Sequence, residues 1–334
     1  MSELRYNPLL GDWTIVASSR QSRPHMPRDY CPFCPGSGKV PDDYDVYKYD
    51  NDFPALMPDP PEPDPVGTSL YKTKKSYGKC EVILYSPDHT TTLSELSVPH
   101  IEKLVELWTE RFVALAEDPR HKYVMIFENR GEEVGVTMPH PHGQIYAYSE
   151  TPLKIKTELN NCKVHFQKTG KCLLCDMNEE EMQFEQRVIF ENEHFICYLP
   201  FFTDYPYGVF IVSKSHKTAL TDFTTDEKRS LAKMLQRTTG AMDELYNRPF
   251  PYMMVMHQRP VNGDDVEDYY HFHIEFYPPL RDKDKIKYYA SSEMGAWAAT
   301  NPQAVEDTAP KLKEAYQRFM QKMSGGDERG GQDG

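Results

Sequence analysis

Two Cys-x-x-Cys pairs, Cys31/Cys34 and Cys172/Cys175, each head the same downstream order of motifs. After the first pair come Ser-Pro-Asp-His, ending at His89, and then His140-Pro141-His142. After the second come Ser-Lys-Ser-His, ending at His216, and then His271-Phe272-His273. The stretches between these landmarks read in both halves as strand, helix, strand, strand. A chain that repeats this order must bury two similar faces, so a duplicated fold of mixed strands and helices is expected. The intervals from the thiols to the histidines differ in length, which places the variation in loops.

The seven cysteines are an odd number in a chain whose opening, MSELRYNPLL, lacks a basic-then-apolar leader. That argues against a disulfide framework and for a reducing, cytoplasmic setting. Cys31, Cys34, His89 and His140 then make a candidate tetrahedral zinc site of two thiolates and two imidazoles. In an extended segment His140 and His142 point to the same side. A coordinated His140 would anchor the strand and leave His142 available for chemistry, with Gly143 and Gln144 directly after it.

Lys and Arg total 38 against 51 Asp and Glu, a formal net charge of −13. An acidic chain without a basic block is a poor nucleic-acid partner, and no apolar run approaches the ~18 residues of a membrane span. A few local cations and backbone donors can still hold a phosphate. Strands are expected at 80–86, 122–131 and 142–149, with helices over 98–117 and 303–322 and a further helix that Thr225 or Asp226 could cap. The Pro-rich stretch 58–66 reads as an extended surface loop.

The motif set is also recognisable. His-Pro-His-Gly-Gln (140–144), preceded by Phe-Glu-Asn-Arg-Gly (127–131), Ser-Pro-Asp-His, Cys-Pro-Phe-Cys and the opening Asn-Pro-Leu-Leu-Gly-Asp-Trp (7–13), resembles the galactose-1-phosphate uridylyltransferase family. The resemblance covers residues 5 to 322 and implies an α+β fold of two fused histidine-triad-like repeats, with a largely antiparallel sheet flanked by helices. The expected division is 1–170 for the N-terminal repeat, 171–322 for the C-terminal repeat, and a disordered tail at 323–334.

The resemblance implies a ping-pong exchange of UMP between UDP-glucose and galactose 1-phosphate, as in galactose metabolism by the Leloir pathway, through a uridylyl-histidine on His142. Neutral imidazole is a good nucleophile near pH 7, and the P–N bond it forms stays reactive enough to pass the group on. A main-chain carbonyl accepting from the other ring nitrogen would set the tautomer. Gln144 stands where hydrolytic histidine-triad proteins carry a third histidine. Its amide can donate to a phosphoryl oxygen but cannot shuttle a proton, which suits transfer rather than hydrolysis.

Further positions match the family's contacts: Arg20 and Arg23 near the phosphates, Asn51 and Asp52 at the nucleoside, and Asn129 and Thr137 facing phosphate. Lys287 and Glu293 match a segment that the partner subunit of a homodimer brings to the hexose. The neighbouring Ala290, Ser292 and Ala299 depart from the family pattern, so the acceptor sugar is the least constrained part.

The repeat suggests a second zinc site at Cys172, Cys175, His216 and His271. Some family members instead bind iron or zinc through one glutamate and three histidines, which here would be Glu158, His257, His271 and His273. Thiolates favour the first set. Rival functions are an adenylyl-transferring relative such as ADP-glucose phosphorylase, and a non-catalytic zinc-stabilised nucleotide-binding module. The Pro141 and Gly143 of the active strand favour uridylyl transfer over the former.

Overall fold

The computed structural model describes residues 2–18 and 30–327. The N-terminal half contains β1 (Ser2–Asn7), β2 (Asp12–Ala17), β3 (Tyr47–Asp50), β4 (Thr73–Lys75), β5 (Gly78–Leu84), α1 (Val98–Ala116), β6 (Tyr123–Arg130) and β7 (His142–Tyr148). Two helices follow, α2 (Leu153–Thr169) and α3 (Leu173–Phe184), and then β8 (Val188–Glu191), β9 (Phe195–Tyr198) and β10 (Val209–Ser213). The chain continues through α4 (Thr225–Tyr246), β11 (Tyr252–His257), β12 (His273–Tyr277), β13 (Leu280–Asp282), β14 (Lys285–Ile286), α5 (Ser291–Ala296) and α6 (Val305–Asp327).

Nine strands form one sheet in the order β3-β5-β7-β6-β11-β12-β10-β9-β8, with every neighbouring pair antiparallel. The order is palindromic about the β6–β11 pair. β6 answers to β11, β7 to β12 and β5 to β10, so the repeated motifs lie on equivalent strands. The α+β class and the antiparallel sheet flanked by helices are as expected.

Local chemistry explains the helices on one face. Ser97 accepts from the His100 N–H and caps α1, which buries Ile101, Leu104, Val105, Trp108, Phe112 and Leu115 as one stripe. Each such side chain contributes roughly 1.5–3 kcal/mol by burial. The cap of α4 falls one residue earlier than expected: it is Thr224, closed by a reciprocal bond with Glu227. Gly240 lets α6 approach α4, since a Cβ there would meet the Phe319 ring at 2.3 Å.

Helices α2 and α3 are not evident in the sequence because α2 buries only Ile155 and Cys162, too weak an apolar period to read. Both cover the opposite face of the C-terminal half, where Cys162 and Leu174 pack with Ile196, Tyr198, Phe210 and Val212. Helix α6 continues past residue 322 to Asp327, and residues 328–334 lie outside the described set.

Candidate active site and metal centres

The face of the sheet away from α1 and α4 carries the chemistry. β7 runs between β5 and β6, with Gln144 opposite Val82 on one side and Phe127 on the other. Strand alternation then puts His142, Gln144 and Asn129 on one face, and Gly143 and Glu128 on the other. His142 Nδ1 lies 2.7 Å from the His140 carbonyl, the hydrogen bond the tautomer argument requires. Since Nδ1 must donate to that carbonyl, the lone pair resides on Nε2.

A pocket of about 60 Å³ beside His142 and Gln144 is lined by Pro32, Phe33, Asn51 and Asp52. The structure thus brings together His142, Gln144, Asn51 and Asp52. Asp52 accepts from Tyr49, and Asn51 Oδ1 accepts from the Phe53 N–H. Thr137 is exposed on the loop that leads into β7. Arg20 and Arg23 lie outside the described residues.

The first thiol pair does meet its expected histidines. Cys31 Sγ is 3.6 Å from His140 Nδ1, and Cys34 Sγ is 3.4 Å from His89 Nδ1 and 3.7 Å from His140 Nδ1. The two imidazole nitrogens are 3.4 Å apart. A tetrahedral zinc with ordinary bond lengths needs ligand separations of about 3.5 Å, so the residues fit the metal. The outer nitrogen of His140 contacts the Ser86 carbonyl at 2.8 Å and the Tyr44 hydroxyl at 3.3 Å, which orients the ring. Burial, with the nearby histidines, pushes the His140 pKa down to about 4 and keeps it in the neutral, ligating form.

The loop of the first thiol pair also lines the pocket at His142. Phe33 lies between the two cysteines, and its ring sits 6.0 Å from His140 and 5.8 Å from His142. Sequence reasoning did not single out Phe33, although its place inside Cys-x-x-Cys was a usable signal.

In the C-terminal half Cys172 and Cys175 each lie 3.4 Å from His271 Nδ1, and Cys175 is 3.7 Å from His216 Nδ1. These four residues form a second cluster that matches the first. His271 Nε2 is engaged by Ser213, and His216 Nε2 by the Glu267 carbonyl.

The set of Glu158, His257, His271 and His273 does not assemble. His271 is taken by the thiols, and Glu275 stands in its place. Glu158, His257, His273 and Glu275 form a third group whose ligand atoms all lie within 4.8 Å of one another. His257 Nδ1 is 2.8 Å from Glu158, and His273 Nε2 is 3.2 Å from Glu275. The sheet palindrome equates His273 with His142 and Glu275 with Gln144. A glutamate two residues after a strand histidine was the missed signal.

This third group faces a cavity of about 760 Å³ that includes Lys154, Tyr277 and Trp297. It is the larger cavity, yet its histidine is paired with a carboxylate and buried, so the smaller pocket at His142 is where nucleophilic chemistry fits. Within its own chain Lys287 lines neither pocket. Its ammonium is held by Asp204 and lies over the rings of Tyr205 and Tyr289 at 4.7 and 4.9 Å. Glu293 lines the larger cavity, while Tyr288, Met294 and Trp297 around it are exposed.

Fold and site together define a class: a duplicated α+β chain in which each half joins a Cys2His2 cluster to a strand-borne histidine. Comparison with known proteins narrows it. The family described as galactose-1-phosphate uridyl transferase matches through its N-terminal domain over residues 1–152 and its C-terminal domain over residues 158–295. The galactose-1-phosphate uridylyltransferase of Thermotoga maritima is 42% identical over 315 residues, spanning 94% of this chain and 98% of that protein. That of Haemophilus influenzae is 33% identical over 294 residues, 83% of each chain.

A solved uridylyltransferase superposes with a TM-score of 0.87 at 33% identity, covering 95% of this chain and 99% of that one. An ADP-glucose phosphorylase from Arabidopsis thaliana gives 0.73 at 25% identity over 94% and 98%. The chain belongs to the galactose-1-phosphate uridyl transferase family.

Proposed function

We propose that the protein exchanges UMP between UDP-glucose and galactose 1-phosphate through a uridylyl-His142 intermediate. The observation that carries this reading is the His142 Nδ1 to His140 carbonyl bond of 2.7 Å. It directs the Nε2 lone pair toward the face that Gln144 shares. Nε2 attacks the α-phosphorus and glucose 1-phosphate departs with the electrons of the broken P–O bond. A phosphate oxygen of galactose 1-phosphate then attacks the same phosphorus and returns His142 to its neutral state. While the P–N bond exists the ring is cationic, and the His140 carbonyl stabilises it through Nδ1–H. Gln144 donates to a non-bridging oxygen where charge develops. Asn51 and Asp52 hold the nucleoside, with Arg20, Arg23, Asn129 and Thr137 assigned to the phosphates.

In this reading Cys31, Cys34, His89 and His140 hold zinc, as do Cys172, Cys175, His216 and His271, with iron as the alternative at the second site. When bound, the metals tie loops to strands, and the nucleophile needs no metal-activated water. Glu158, His257, His273 and Glu275 supply a further donor set of mixed oxygen and nitrogen ligands suited to zinc or iron. The repeats are the working units, 1–170 with the nucleophile and 171–322 with the second metal. The protein acts as a cytoplasmic homodimer in which Glu293 and its exposed neighbours face the partner. No described helix is long and apolar enough to cross a membrane.

Intact-mass measurement tests the proposal. Incubation with UDP-glucose alone is expected to add one UMP and release glucose 1-phosphate, and His142→Ala is expected to take no label. Labelling by ADP-glucose and not by UDP-glucose would assign the protein to adenylyl transfer. An unlabelled protein with both donors would refute the covalent route.

A further inference from the structure

Tyr85 follows the last residue of β5 and is fully buried. Its N–H donates to the Pro141 carbonyl at 3.0 Å, and its own carbonyl accepts from His100 Nε2 at 2.7 Å. The ring lies under the first residues of β7. A Cβ built on Gly143 would stand 2.3 Å from Tyr85 Oη and 3.0 Å from Cζ. The main chain there is ordinary extended strand, so glycine is required for space and not for backbone freedom. One residue therefore braces both neighbours of His142: Pro141 through its main-chain N–H and Gly143 through contact of its ring.

The hydroxyl end of Tyr85 is equally specific. Glu128 lies on the same face of the sheet, close enough to Tyr85 for each to alter the other's acidity. Glu128 Oε1 accepts from the Tyr252 hydroxyl at 2.9 Å, and the Tyr85 hydroxyl is the second phenol turned toward the carboxyl. Burying a carboxyl between two phenols costs desolvation that an apolar pair would not, and a phenylalanine at 85 over an apolar residue at 128 would pack more cheaply. Packing alone does not account for this pair beneath the reactive strand.

We propose that Tyr85 is a positioning residue for the transfer step. Held toward Glu128, it fixes the main chain on both sides of His142, so that Nε2 stays in line with phosphorus while Nδ1 stays on the His140 carbonyl. This role rests on His142 being the nucleophile. His100, which carries no motif of its own, serves it by tethering the Tyr85 carbonyl.

The test is single-turnover labelling by UDP-glucose, with the Kd for UDP and the melting temperature measured in parallel. Tyr85→Phe is expected to slow uridylyl-enzyme formation about tenfold and to change Kd by less than about twofold, because a small displacement of the nucleophile costs rate before it costs binding. Gly143→Ala is expected to stop labelling. Adding Tyr85→Phe to it removes the nearest atom that the new methyl strikes, leaving the ring Cζ and the Phe127 carbonyl at 3.0 Å, and should restore the rate about tenfold over Gly143→Ala alone. If Tyr85→Phe does not fold, His100→Ala must show the same split between rate and Kd. A wild-type labelling rate in Tyr85→Phe, or no gain in the double variant, overturns the proposal. A wild-type protein that takes no label refutes the His142 assignment, and the positioning role falls with it.

Discussion

Gln144 and Phe127 are register partners across β7 and β6, which sets the amide of Gln144 on the same sheet face as His142 and Asn129. The amide is thereby fixed by the ladder and not by a flexible loop. Gln144→Ala should lower the rate of UMP transfer about 100-fold, the typical cost of losing one donor to a developing oxyanion, with little change in nucleotide Kd. Rapid-quench kinetics and equilibrium binding on the same preparation would separate the two effects. A matching loss in both would assign Gln144 to ground-state binding.

Phe33 joins the Cys31/Cys34 loop to the pocket at His142. Cys34→Ser, or removal of the metal by a chelator, should release the loop that holds Phe33 and weaken uridine nucleotide binding by about tenfold or more. Reciprocity requires nucleotide to tighten metal binding by the same factor. Equilibrium competition with a chelator of known affinity, with and without UDP, checks both halves of the statement.

The two repeats are locked together by Arg130 of β6 and Asp243 of α4, joined at 2.8 and 3.1 Å. Asp243 also accepts from the Phe250 N–H and the Ser94 hydroxyl. Asp243→Ala strands a largely buried guanidinium and should cost about 3–5 kcal/mol in denaturant unfolding. Replacing both partners with apolar residues of similar size should cost clearly less.

Glu128 gives stability a pH dependence. Burial pushes its carboxyl up to about 7, against an ordinary value of 4.5. The folded state therefore holds a proton that the unfolded state releases. The stabilisation is full below about pH 4.5 and is lost as pH rises through about 7. A shift of this size corresponds to on the order of 3 kcal/mol. Thermal melts from pH 5 to 8 should show a fall that Glu128→Gln flattens; an identical slope in that variant would place the titration elsewhere.

The chain order of motifs determined much by itself. The clustering of Cys31, Cys34, His89 and His140, and of their C-terminal counterparts, was legible because paired thiols and imidazoles have few other partners to meet, and the duplication supplied the second set from the first. His142 and Gln144 were legible because strand alternation is a local rule. Only the tertiary structure decided the rest. Glu158 and Glu275 come to His257 and His273 through α2 and two neighbouring strands, and His271 is drawn away by thiols roughly a hundred residues upstream. Lys287 is retained by Asp204 of its own chain. Tyr85 and Glu128 acquire meaning only when β5, β6 and β7 lie side by side over α1. Ligand identity follows from residue chemistry, which the sequence displays, whereas choice among competing partners follows from register and packing across the sheet, which no local pattern encodes.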